Sequence, residues 1–254
     1  MKTFRFIGMA LFAVLISVNF AACSSENDPT EEKEEVISQT KKIVEIKRTD
    51  EKGSSVFSYD EKNRLIKYEC GESPFDYTWG NNVIIKGNDT YYLKDDLIIK
   101  HSYEGRLIYN SFNQLITYGL EDGHSISTGS YIWENGNVTE ATLKHYNIKI
   151  NYSNKTCKGH FPLMAVALFE NNINYPQGYY EYTALYMAHP ELVGIKTKNL
   201  PNKISTFNDS METVCLIEYT FTQDGYIESC TVEETQVYHG EKNKKTIIYT
   251  FKWQ

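Results

Sequence analysis

The chain has 254 residues, with 33 acidic against 26 basic side chains, 41% hydrophobic residues and 14% aromatic residues. A formal charge of −7 leaves no basic footprint for a phosphate backbone, so nucleic acid is excluded as a partner class. The length suits one large β domain. The five cysteines show no C-x-x-C pair and no Cys/His spacing that would bind zinc.

Lys2 and Arg5 precede an apolar run from Ile7 to Phe20, too short for a spanning helix of ~20 residues. Residues 1–22 therefore read as a secretory targeting segment. The run ends in Phe20-Ala21-Ala22-Cys23, which resembles a bacterial lipobox, with Phe20 where that pattern usually has Leu. The resemblance implies cleavage before Cys23, acylation of Cys23 (palmitate among the chains) and attachment to the membrane through that lipid. An ordinary secretory signal cut after small residues is the alternative. Removing Lys2 and Arg5 takes the formal charge to near −9. Residues 24–40, SSENDPTEEKEEVISQT, carry six carboxylates and one Lys, a composition that cannot bury enough apolar area to fold. They read with Cys23 as an acidic tether. An acidic stretch after the lipidated Cys also resembles the surface-export signal of Bacteroidetes lipoproteins, which implies the outer face of the outer membrane.

From residue 41 to 254 the pattern is mainly β, in a single domain. SYDEKNRLIKY (58–68) and IYNSFNQLITY (108–118) align Tyr59 with Tyr109, Asn63 with Asn113, Leu65-Ile66 with Leu115-Ile116 and Tyr68 with Tyr118. A third copy, FTQDGYIESC (221–230), puts Gly225 at the Asn position and Ile227 at the Leu position. Asn and Gly accept positive φ at low cost, so each copy predicts a strand, a four-residue loop and a strand. Setting Tyr59 opposite Arg64 pairs Phe57 with Ile66. It puts Tyr59, Tyr68, Leu107, Tyr109, Ile116, Tyr118, Ile217, Tyr219, Phe221, Tyr226 and Cys230 on one predicted buried face. Lys67, Arg106, Thr117, Glu218 and Ser229 take the other face, along with Leu65, Leu115 and Ile227. Cys230 then opposes Ile217 and lies diagonal to Cys215, which predicts two free, buried thiols.

Turn signals at Gly80-Asn81-Asn82, Gly87-Asn88-Asp89, Lys94-Asp95-Asp96, Glu104-Gly105 and Asn135-Gly136 separate the strand-like runs 83–86, 90–93, 97–100, 141–152 and 246–253. These predict an antiparallel meander of tandem hairpins, a curved sheet or open barrel-like. The alternation stops between Phe161 and Gly194. FPLMAVALFEN (161–171) and GYYEYTALYMAHPEL (178–192) predict a short two-helix insertion near 161–192 that covers one edge or face of the sheet.

The Tyr-(Asp/Asn)-x-x-Asn-(Arg/Gln)-Leu pattern resembles the YD, or RHS-type, repeat of secreted β-meander shells. With the lipobox, the helical interruption and Lys198-Asn199-Leu200-Pro201-x-Lys203-Ile204, the chain resembles a Bacteroidetes lipoprotein family of unknown function (domain of unknown function number 4595). That family implies no catalytic residue.

No convergent catalytic set emerges. GHSIS (123–127) lacks the last Gly of the nucleophile elbow. Cys157 and His160 are close in sequence only, and the six histidines form no metal-binding spacing. Asp95-Asp96, Glu121-Asp122 and Glu233-Glu234 are adjacent carboxylates, and in a strand neighbours face opposite ways. No catalytic residue, metal or cofactor is expected. Trp79 and Trp133 begin turns and are the expected ligand-facing aromatics. Asp209-Ser210-Met211 resembles a Bacteroidetes O-glycosylation acceptor. The expectation is a lipid-anchored, non-enzymatic binding module of the cell surface with a glycan or protein partner. The alternatives are a glycan-directed hydrolase with an unrecognised site, or a structural component of the outer membrane.

Overall fold

The computed structural model describes residues 40–71, 73–102, 105–119, 128–143, 145–174, 180 and 183–254. The targeting segment, Cys23, nearly all of the tether, GHSIS and Glu121-Asp122 lie outside them. Gln39–Gln254 is one compact unit.

Its strands are β1 (Ile43–Arg48), β2 (Ser55–Tyr59), β3 (Leu65–Cys70), β4 (Ser73–Gly80), β5 (Val83–Lys86), β6 (Asp89–Lys94), β7 (Leu97–His101) and β8 (Gly105–Tyr109). They continue as β9 (Leu115–Gly119), β10 (Thr128–Glu134), β11 (Asn137–Leu143), β12 (Tyr146–Tyr152), β13 (Pro201–Phe207), β14 (Met211–Phe221), β15 (Ile227–Tyr238) and β16 (Glu241–Trp253). Each strand pairs antiparallel with the next, and β1 pairs with β16, so the meander closes into a barrel with no crossover. Lys42 and Gln254 exchange backbone hydrogen bonds across the seam, at 2.7 and 2.9 Å. The predicted run 141–152 is broken by a turn between β11 and β12.

In this topology every even strand ends, and every odd strand begins, at one end of the barrel, the rim. The three sequence repeats are rim loops of one design. Asp60 Oδ1 accepts the N–H groups of Lys62 and Arg64, both at 2.9 Å. Asn110 Oδ1 accepts those of Phe112 (2.9 Å) and Gln114 (3.1 Å). Thr222 Oγ1 accepts the Tyr226 N–H at 3.0 Å. Asn63, Asn113 and Gly225 all take positive φ at the same loop position.

The register differs from the sequence-based pairing by one residue next to each loop and by two beyond the bulge that follows. Tyr59 faces Leu65, Tyr109 faces Leu115 and Phe221 faces Ile227, with Ile66, Ile116 and Glu228 bulged outward. Phe57 therefore opposes Tyr68, and Cys230 opposes Tyr219 rather than Ile217. Leu65, Leu115 and Ile227 are fully buried, not on the outer face, and Ile116 is not on the inner one. The bulge adds one residue to one strand, which restores the tyrosines to a common inward side. Cys215 and Cys230 are free and buried.

The insertion fills the barrel instead of covering an edge or face. Helix α1 (Leu163–Phe169) and helix α2 (Ala184–Ala188), with a 3₁₀ turn at Pro190–Val193, have buried side chains almost throughout. Strands around the barrel touch them. Tyr131 Oη donates to the Leu168 carbonyl (3.0 Å), Phe169 packs on Tyr118 and Tyr186, and Tyr186 packs on Tyr91. At the end opposite the rim, Arg48 makes a two-toothed pair with Asp50 (2.8 and 2.9 Å) and donates to the Asn174 carbonyl (3.2 Å). Asn174 Nδ2 donates to Glu234 Oε2 at 2.6 Å, and Tyr249 Oη donates to the Ile173 carbonyl at 3.1 Å. These bonds satisfy non-helical backbone buried in the lumen.

His160, ahead of α1, donates through Nε2 to the Met187 carbonyl at 2.6 Å, with Trp253 edge-on to its ring. Burial outweighs that carbonyl and lowers its pKa to about 4. The unfolded chain, with a His pKa near ~6.5, binds the proton first. Stability contributed by neutral His160 is therefore present above that value and declines as pH falls toward 4. Urea unfolding at pH 7 and pH 5 is expected to show a loss of about 2 kcal/mol from this residue, and His160→Gln is expected to remove it.

Candidate functional site

The rim carries a repeated side-chain-to-backbone contact. Trp79, Trp133 and Trp253 donate their indole N–H to the carbonyls of Leu65, Leu115 and Ile227, each at 2.7 Å. Tyr109 and Tyr152 donate likewise to Ile98 (2.5 Å) and Val138 (2.7 Å). All five acceptors immediately precede the bulged residue of their strand, and all five are fully buried. Tyr59 and Tyr219 serve the carbonyls of Ile43 and Pro201. Each donor stands near the end of an even strand and reaches back to the preceding odd one. Burial raises the pKa of Tyr59, Tyr109, Tyr152 and Tyr219, so these phenols remain donors.

The structure thus points Trp79 and Trp133 inward, half-buried, with their N–H groups committed to backbone. Trp79 and Tyr59 also pack edge-on against His189. His189 Nε2 accepts the Leu65 N–H at 3.1 Å, and its Nδ1 lies 3.0 Å from Glu191 Oε1. Burial raises the Glu191 pKa, but the bond to His189 outweighs it and the carboxyl falls to about 2. In the second hairpin the Leu115 N–H donates to the Gly194 carbonyl at 3.1 Å. Gly194 has φ +59°, and a Cβ there would lie 2.2 Å from the Asn113 carbonyl oxygen, so only glycine lets this strap approach the loop.

That strap and three rim turns enclose an open recess of about 650 Å³. Asp95 and Asp96 of the β6–β7 turn, Phe112 to Gln114 of the β8–β9 loop, Gly136, and Glu191, Gly194, Lys196 and Lys198 of the strap line it. Phe112 is 81% exposed, although Asn110 fixes its backbone from within the loop. Just below, on the outer wall, Tyr92, Ile99, Ile108 and Ile132 are also exposed. Sequence reasoning missed Phe112, and the signal was available. The repeat alignment sets Phe112 against Lys62, an apolar ring where the sister loop carries a charge.

Burial pushes the Cys157 thiol up to about 11, and it raises Cys215 and Cys230 further, so none offers a thiolate near neutral pH. Glu233 is exposed, whereas Glu234 points inward to Asn174. His101 is buried and stacked on Tyr91. Among the described residues no group of three or more His, Cys, Asp or Glu side chains could hold a metal ion. Ser210 lies exposed in the β13–β14 turn, organised by Asn208.

The fold is a closed antiparallel β-barrel whose lumen is filled by its own helical insertion. It is similar to the crystal structure of a porin-like protein from Bacteroides uniformis ATCC 8492, with a TM-score of 0.61 and 14% identity over 84% of this chain and 98% of that one. No protein-family model matches the chain, and no curated protein matches it.

Trp133→Phe keeps the ring and removes the donor, leaving the buried Leu115 carbonyl without its side-chain partner. A loss of about 1–3 kcal/mol in urea unfolding is expected, against a near-zero effect for an exposed substitution such as Lys149→Gln.

Proposed function

We propose that this protein is a water-exposed barrel of the cell envelope, tethered through lipid on Cys23, which acts as a non-enzymatic binding module through its rim recess. The outer wall supports the water-exposed reading. Asp76, Lys100, Arg106, Glu140, Lys149 and Glu218 point outward from six different strands. Strands β1 to β13 have only 4 to 8 residues. A lipid-spanning barrel needs strands of ~9–11 residues around a polar interior, whereas this interior is apolar and packed. The porin-like description of the structural neighbour does not carry over as a conduction role, because α1 and α2 occupy the lumen. Outer-membrane attachment and exposure on the cell surface rest on the Cys23 lipobox and the acidic tether. Kinship with the YD-repeat lipoproteins of unknown function rests on the three matching loops.

The observation that carries the binding reading is Phe112. A phenyl ring held in water on a braced loop is pre-ordered to receive a partner, so little ordering entropy opposes binding. Flanking carboxylates, lysines and Gln114 supply donors and acceptors for hydroxyl groups, which favours a glycan. Screening residues 39–254 on glycan arrays tests this. Phe112→Ala is expected to weaken the ligand so found about tenfold with the melting temperature unchanged. Polysaccharide hydrolysis by the same barrel, or binding indifferent to Phe112→Ala, would refute it. Metabolic labelling with a palmitate analogue tests the anchor: label is expected on the full chain and absent from Cys23→Ala.

A further inference from the structure

The end of the barrel opposite the rim leaves a strand edge open. β16 pairs with β1 from Trp253 back to Tyr249, opposite Arg48. One more link follows: the Thr49 N–H donates to the Ile248 carbonyl, and the Ile248 N–H donates to Thr49 Oγ1, both at 3.1 Å. Beyond it the chain turns away toward β2, while β16 continues to Glu241 and pairs there with β15 alone. Backbone groups in a strand alternate sides, so Lys242, Lys244 and Thr246 point their N–H and C=O groups the same way as Ile248, toward the open side. Glu241 to Thr246 are all exposed.

We propose that this edge receives an extended acidic segment of a partner protein as an added strand. Charge selects that occupant. Lys242 and Lys244 share the outward face, and each stands across from an uncharged β15 residue, Val237 and Thr235. A second copy of this chain is disfavoured. Antiparallel self-pairing centred on Lys244 sets that lysine against itself, and pairing centred on Asn243 sets Lys242 against Lys244. A segment with carboxylates opposite Lys242 and Lys244 meets neither problem. Opposite Thr246 it needs a neutral residue, because outward Glu233 is the β15 neighbour of Thr246. The added backbone supplies up to three acceptors and three donors to groups that have no backbone partner among the described residues, as in other strand-addition complexes.

Fluorescence anisotropy with residues 39–254, which close the barrel with their own strands, tests this. The probes are two labelled octapeptides of valine and threonine that carry glutamate, or in the second lysine, only at the two positions set opposite Lys242 and Lys244. Saturable binding of the glutamate peptide is expected, at least about tenfold tighter than the lysine peptide. The pair Lys242→Glu with Lys244→Glu is expected to reverse that order. Lys244→Pro removes an N–H that faces the open side, so the barrel is expected to fold with a near-unchanged melting temperature and to lose at least about tenfold in peptide affinity. Absence of saturable binding by the glutamate peptide, or equal affinity in Lys244→Pro, overturns the proposal. Failure of Lys244→Pro to fold also overturns it, because that N–H would then belong to the β15 ladder.

Discussion

The structure depends on what happens to the backbone just past each bulged rim loop. A bulge takes polar groups out of the strand ladder, and at Leu65, Ile98, Leu115, Val138 and Ile227 it does so at fully buried positions. A buried carbonyl without a partner costs about 1–3 kcal/mol, so five of them would consume most of the stability of an ordinary domain. Water cannot reach these sites, and a side chain must. The ring of Trp and Tyr donors is the answer, because only an aromatic with a polar tip both fills the space beneath the rim and carries a donor to it. This accounts for all 3 tryptophans, each on a bulge carbonyl, and among the 20 tyrosines for Tyr59, Tyr109, Tyr152 and Tyr219, which donate to rim carbonyls.

The same constraint explains the filled lumen. Residues next to the bulges also turn N–H groups inward, and those of Leu65 and Leu115 are taken by His189 and Gly194 of the insertion. The closed wall and its contents are therefore interdependent. At the far end Arg48 plays the complementary role, tying the loop carbonyl of Asn174 to β1, with Asp50 offsetting the cost of burying its charge. Apolar side chains face the packed interior, and the outward positions that alternate with them carry charged residues such as Asp76, Lys100 and Glu218 among exposed apolar ones such as Ile85, Ile108 and Leu216.

Much of this was legible in the sequence because the repeat is chemical as well as textual. Asp60, Asn110 and Thr222 each carry an oxygen that bonds along the loop, and Asn63, Asn113 and Gly225 each tolerate positive φ, so hairpins and their buried tyrosine face could be read directly. The register could not. A bulge costs one residue and leaves no compositional trace, and strict alternation then assigns Leu65, Leu115 and Ile227 to the wrong side. Closure was illegible for a similar reason, since nothing in IVEIKR or TIIYTFKW says that their strands are neighbours. Placing the helices at an edge failed because an all-apolar run such as LMAVALF marks complete burial without saying in what. The indole bonds were illegible because the carbonyl that holds each tryptophan belongs to a different strand.

The division of labour within the rim loop also argues for where function can change. Its shape is set by the side chain of its first residue, Asp60 or Asn110, and by the left-handed residue Asn63 or Asn113. The residue between them, Lys62 or Phe112, lends only its backbone N–H to that frame. Its side chain is free of any folding duty, so a charge and an aromatic ring stand on the same scaffold without altering it. Selection for folding acts on the frame, and selection for a partner can act on the tip. A large apolar side chain in that position gains nothing from packing and exposes its area to water, at a cost in solubility that folding does not require. Phe112 is then best understood through what it meets, and its neighbours in the recess, anchored by Gly194 to the same loop, are held at a fixed distance from it.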